Sequence, residues 1–157
     1  RRQRQMCIRD RSWADEGRNR VQCLDEQSIP IDMEAIKHLT KKDFLTKVAD
    51  YEKTPGEWKF LGEKPAVIDF FAAWCGPCKA LAPVLEEVAG DYQYRDRVDV
   101  YKVDVDKEEE LASVFGVRSV PTLLFIPKDG QPRMMTGLMS KADLKRTIDD
   151  YLLDKQL

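Results

Sequence analysis

Pro65-Ala66-Val67-Ile68-Asp69-Phe70-Phe71-Ala72-Ala73-Trp74-Cys75-Gly76-Pro77-Cys78-Lys79 is the stretch from which the fold can be read. Pro65 to Ala73 is a nearly continuous apolar run with β-branched and aromatic content, which predicts a central strand buried on both faces. A helix is expected to follow from about Pro77 to Tyr94, kinked at the internal Pro83. The two cysteines fall at the junction. The first then sits at a helix N-terminus, where free N–H groups and the helix dipole stabilise a negative sulfur. The second lies within the first turn, close enough to close a disulfide with it. Proline early in a helix costs no hydrogen bond, so Gly76-Pro77 suits the turn.

Other readings of Cys75 and Cys78 are half of a zinc site or a pair of inert buried thiols. A structural zinc site needs two more ligands at suitable spacing, and Cys7, Cys23 and the single histidine, His38, make no convincing second half. The strand-then-helix context favours redox chemistry, in which a thiolate attacks a disulfide sulfur. Asp69 interrupts the apolar strand. Burying a carboxylate is costly and raises its pKa. It either faces water from an edge strand, serves as a structural hydrogen-bond partner, or accepts a proton.

Outward from this block the chain alternates regularly. Ala35 to Leu39 reads as a short strand, and Thr40 with Asp43 forms an acidic capping box for a helix. That helix buries Phe44, Leu45, Val48 and Tyr51 and ends at Pro55-Gly56. Trp58, Phe60 and Leu61 anchor a connector running from Tyr51 to Lys64, longer than in compact members of its kind, which either contacts a partner or, as loops of this sort more often do, packs Trp58 onto the body. Val98 to Asp104 reads as a strand, and Asp106 as the cap of a helix from Lys107 to Phe115 that Gly116 stops. Thr122 to Ile126 is a strand, Lys128-Asp129-Gly130 a hairpin turn and Arg133 to Thr136 the returning strand. Ser140 caps a last amphipathic helix carrying Leu144, Ile148, Tyr151 and Leu152 on one face. The order βαβαβαββα predicts a single α/β domain, a mixed sheet flanked by helices. Met134, Met135 and Met139 are expected mainly to fill the core.

The chain has 157 residues and a formal net charge of −2, which suits one domain and gives no basic field that would point to nucleic acid. No apolar run approaches a membrane span, and one histidine excludes a multi-histidine metal site. Four cysteines are too few for a disulfide scaffold. Arg1-Arg2-Gln3-Arg4-Gln5-Met6-Cys7-Ile8-Arg9-Asp10-Arg11 resembles the in-frame translation of a transposase adapter from sequencing libraries, rather than a targeting peptide or nucleic-acid arm. Residues 1–11 carry five Arg and one Asp, net +4, so the remainder stands at −6. Residues 12–32 are polar and without periodicity, with Cys23 a free thiol in a loose arm if native. The expected division is a leader over 1–32 and a domain over 33–157, with Met33 as the start.

Three separate blocks resemble the thioredoxin family: Trp74-Cys75-Gly76-Pro77-Cys78-Lys79, the active-site motif; Val117-Arg118-Ser119-Val120-Pro121-Thr122, the cis-proline loop; and Gly137-Leu138-Met139-Ser140-Lys141, the segment before the last helix. The resemblance runs from about Ala35 to Leu153. It implies a thioredoxin fold and general protein-disulfide reduction. Cys75 would attack the substrate disulfide, and Cys78 would resolve the mixed disulfide. Asp69, six residues before Cys75, would accept the Cys78 proton, with Lys102 modulating its charge. Pro121 would be cis and present the Val120 backbone to an extended substrate segment. Trp74, Gly76, Pro77, Val120, Pro121, Gly137 and Leu138 would form the contact surface.

The family further implies a cytoplasmic monomer with no bound cofactor. Its partners would be disulfide-containing proteins and a flavin-dependent thioredoxin reductase that draws on NADPH, with neither nucleic acid nor membrane. The chain departs from the common bacterial pattern at Phe71, where many members carry tryptophan, and at Ala73, where many carry a charge. The alternatives are an exported thiol–disulfide oxidase or isomerase, and a thioredoxin-fold binding subunit without redox turnover.

Overall fold

The computed structural model describes residues 35–53 and 55–153. The expectations for the leader, for Cys7 and Cys23 and for Met33 fall outside the described residues.

The predicted element order holds. Strand β1 is Ile36–His38, and helix α1, Lys41–Lys47, starts at the Thr40 capping box, where Thr40 Oγ1 accepts from the Asp43 N–H at 3.2 Å. Strand β2 is Ala66–Phe71, helix α2 Gly76–Gly90, strand β3 Asp99–Asp104 and helix α3 Glu109–Val114. Strands β4, Thr122–Ile126, and β5, Arg133–Thr136, form the hairpin. Helix α4, Lys141–Thr147, continues as a π-helical segment over Ile148–Leu153. The five strands lie in the order β1-β3-β2-β4-β5, with β2 parallel to β3 and antiparallel to β4. β2 is therefore the middle strand, and helices must cover both faces of its apolar run.

Alternation along β2 divides the core. Val67 joins Val100, Leu123 and Phe125 against Leu81, Leu85 and Val88 of α2 and Leu144, Ile148 and Leu152 of the last helix. Ala66, Ile68 and Phe70 join Val103 and Leu124 on the other face, against Phe44, Val48 and Leu111. Trp58 of the connector packs as expected, its ring edge-on to Phe115 at 6.2 Å. Met135 and Met139 pack against the first cluster, whereas Met134 is exposed.

Four boundaries differ from the sequence reading. Helix α1 stops at Lys47, well before Pro55-Gly56, because the Val48 and Ala49 N–H groups both close on the Phe44 carbonyl and the Val48 carbonyl accepts from Leu61 of the connector. Helix α2 stops at Gly90, before Tyr94, because Asp91 turns extended and takes the Gln93 N–H on its own carboxylate. Helix α3 begins at Glu109, and Asp106 is not its cap. Asp104 accepts the Asp106 N–H at 3.1 Å, an Asx-type turn that uses up these residues before the helix starts. The final helix passes from α-helical to π-helical geometry after Thr147.

Candidate active site

The site is built where β2 meets α2. Cys75 caps α2 from an extended conformation (φ −81°, ψ 111°), and its Sγ accepts the Cys78 N–H at 3.2 Å. Gly76 and Pro77 fill the first helical turn, where a missing N–H is harmless. Cys75 and Cys78 are joined by a disulfide, with Cα atoms 5.3 Å apart. Both are buried, in a small cluster with Ala72, flanked by Phe71, Val105 and Val120. The helix end supplies an N–H and the positive end of the dipole to the same sulfur, a setting that favours its thiolate.

The Val120-Pro121 peptide bond is cis, as the resemblance implied. This loop brings the Val120 carbonyl oxygen to 3.6 Å from Cys75 Sγ. The Pro121 carbonyl accepts the Gly137 N–H at 2.9 Å, so the segment before α4 is tied to the same loop. Gly137 has φ +109°, which a residue with a Cβ adopts only under strain. Around the sulfurs, Trp74 is 71% exposed and Leu138 is also exposed, while Val120 is partly so. A Cβ on Gly76 would meet nothing within 4 Å, so its outer side is open.

Asp69, on β2, lines a cleft with Cys78, Lys79 and Ala82 of α2. It is 1% exposed, and its Oδ1 has no hydrogen-bond partner among the described residues. Burial pushes its carboxyl up to about 7, while the Lys102 charge pulls in the opposite direction. The alternative of an edge strand is excluded by the central place of β2. Asp69 pairs in register with Lys102 of β3, which pairs in turn with His38 of β1. These three side chains therefore share one face of the sheet. A cleft of about 280 Å³ joins them to Cys78 and is lined by His38, Asp69, Phe71, Cys78, Lys79 and Lys102, among others. The buried acid and the second cysteine thus open on one shared space. Among the described residues, no group of three His, Cys, Asp or Glu is placed to hold a metal ion.

Two contacts were missed by the sequence reading. Asp106 accepts the Trp74 indole Nε1–H at 3.0 Å, which fixes an otherwise exposed ring. Lys102 Nζ lies 3.6 Å from Glu86 of α2. Both partners are distant in sequence, and neither lies in a motif. Only the helix-capping alternative was visible for Asp106. For Glu86 the one available signal was its position on the turn of α2 that lies two turns beyond Cys78.

Comparison with known proteins agrees with this geometry. The thioredoxin family model matches residues 35–150. A thioredoxin of Borreliella burgdorferi is 47% identical over 113 residues, covering 72% of this chain and 94% of that protein. A thioredoxin of Staphylococcus epidermidis is 39% identical over 119 residues, 75% of this chain and 99% of its own length. Thioredoxin 1 of a Nostoc species is 33% identical over 120 residues, 76% of this chain and all of its own length. Since the family match runs through the fold from β1 into the last helix, around a cysteine pair that α2 holds at disulfide distance, the chain belongs to the thioredoxin family and is a protein dithiol–disulfide oxidoreductase.

Proposed function

We propose that this protein is a general cytoplasmic reductant of protein disulfides, working as a monomer and recharged by a thioredoxin reductase that draws on NADPH. The observation that carries this reading is the capped Cys75 beside a buried acid, Asp69, that shares a cleft with Cys78. In the reduced protein the Cys75 thiolate attacks one sulfur of a substrate disulfide. The substrate S–S bond breaks, one substrate sulfur leaves as a thiolate, and a mixed disulfide remains. Cys78 then gives its proton to Asp69 and attacks Cys75 Sγ. The mixed disulfide breaks, the second substrate thiolate leaves, and two electrons have passed to the substrate. The pair is left oxidised, as in this structure.

Asp69 suits the proton transfer because a base works best with a pKa near ambient pH, and burial brings its carboxyl to about 7. Lys102 tempers that basicity from the neighbouring strand. Trp74, Gly76, Pro77, Val120, Pro121, Gly137 and Leu138 form the docking surface, where the Val120 backbone pairs with an extended substrate segment. The domain occupies residues 33–157, with residues 1–32 a dispensable leader.

The test is insulin reduction driven by NADPH and a bacterial thioredoxin reductase, run on the full chain and on residues 33–157. Reductase-dependent turnover by both is expected. Turnover with dithiothreitol but not with several reductases would refute the electron source. Inactivity of the shorter chain alone would refute the domain boundary.

A further inference from the structure

Lys102 stands between two carboxylates. Its backbone is the register partner of Asp69, and both side chains line the cleft under α2. Yet its ammonium is drawn to Glu86 Oε1, 3.6 Å away, while Asp69 Oδ1 is left without a partner among the described residues. The Lys102 side chain is only 15% exposed, whereas Glu86 is 65% exposed. The cation is thus held in a confined site by an acid at its rim. The other ionisable groups facing this space are His38 from β1, Lys79 and Cys78 from α2; β4 contributes the neutral Leu123 beside Asp69.

We propose that Glu86 is a positioning residue that sets the proton affinity of Asp69 by competing for Lys102. A fully engaged Lys102 would stabilise the Asp69 carboxylate and make it a weaker base. Glu86 holds the ammonium toward the rim and keeps the buried acid ready to take a proton. Its bearing on catalysis rests on the reading of Asp69 as the base for Cys78. The lever itself is independent of that reading.

The experiment is a pH titration of the Asp69 side-chain carboxyl carbon by ¹³C NMR in the oxidised full-length protein, where neither cysteine of the pair titrates. Glu86→Gln removes the competitor, and the Asp69 midpoint is expected to fall by about half a pH unit, the scale of a half-exposed ion pair. Lys102→Met should raise the midpoint. In that background Glu86→Gln should move it by less than half as much as in the wild type, because the competition no longer exists. An unchanged midpoint in Glu86→Gln overturns the proposal. So does a shift of full size in the Lys102→Met background, which would show a direct field from Glu86. If Lys102→Met does not fold, Lys102→Gln provides the same background. The rate of the resolving step is measured on the same variants. A midpoint that moves while that rate stays constant would keep the lever and remove Asp69 as the base.

Discussion

Replacing Asp69 by asparagine is expected to change the pH dependence of stability more than any other single substitution. The carboxyl is 1% exposed, and its midpoint is raised from 3.8 to about 7, first by desolvation. At about 1.4 kcal/mol per pH unit, ionising it in the fold costs about 4 kcal/mol more than ionising it in the unfolded chain. Below the unfolded value both states hold the proton, and the residue exerts no pH effect. Between pH 3.8 and about 7 the unfolded chain gives up the proton while the fold retains it, so stability falls as pH rises. Above about 7 both states are ionised and the loss is complete. Guanidinium unfolding of the oxidised protein should therefore show the wild type losing about 3 kcal/mol from this group between about pH 4.5 and 8.5. Asp69→Asn should lack that component, so the gap between the two proteins widens with pH and levels off above neutrality. Parallel pH curves would refute the argument, since they would mean that the carboxyl is solvated in the fold.

Cys75→Ser should abolish dithiothreitol-driven insulin reduction, while Cys78→Ser should accumulate a mixed disulfide through Cys75, visible as a mass increase on non-reducing gels. Gly137→Val should destabilise by about 1–3 kcal/mol, because φ +109° is unfavourable for a β-branched residue even though a Cβ there meets nothing within 4 Å; chemical denaturation reads it. Asp106→Ala should shift the Trp74 indole ¹H–¹⁵N signal and raise KM for insulin, with stability changed by less than about 1 kcal/mol, since the hydrogen bond is exposed.

Pattern made most of the architecture legible. The apolar run of β2, the Thr40 and Ser140 caps and the hairpin before β5 each combine a local signal with a local cause, and all are found where the sequence put them. The cysteine pair was legible for the same reason, because a helix N-terminus and a separation of three residues suffice to join them. Asp69 was visible as a polar residue in an apolar strand. What escaped depends on side chains that meet across the fold. Asp106 looked like a cap because a lone acid before a helical pattern usually is one, and only the turn built by Asp104 releases it to Trp74. Glu86 looked like an ordinary exposed helix residue until β3 carried Lys102 beneath it. The π-turn after Thr147 has no sequence signature at all.

The cleft beneath α2 has a consequence for traffic through the proposed cycle. Its lining, from His38 and Asp69 to Lys79 and Lys102, contains none of the residues assigned to the docking surface, from Trp74 to Leu138. On the proposed reading, a protein seated over Cys75 would touch none of the residues that line the cleft. Electrons would travel sulfur to sulfur, through a contact that must be closed. Protons would have a separate exit through the cleft, one that need not close while the partner is attached. The two currents would then be kept apart, and shedding a proton would not have to wait for the departure of the substrate.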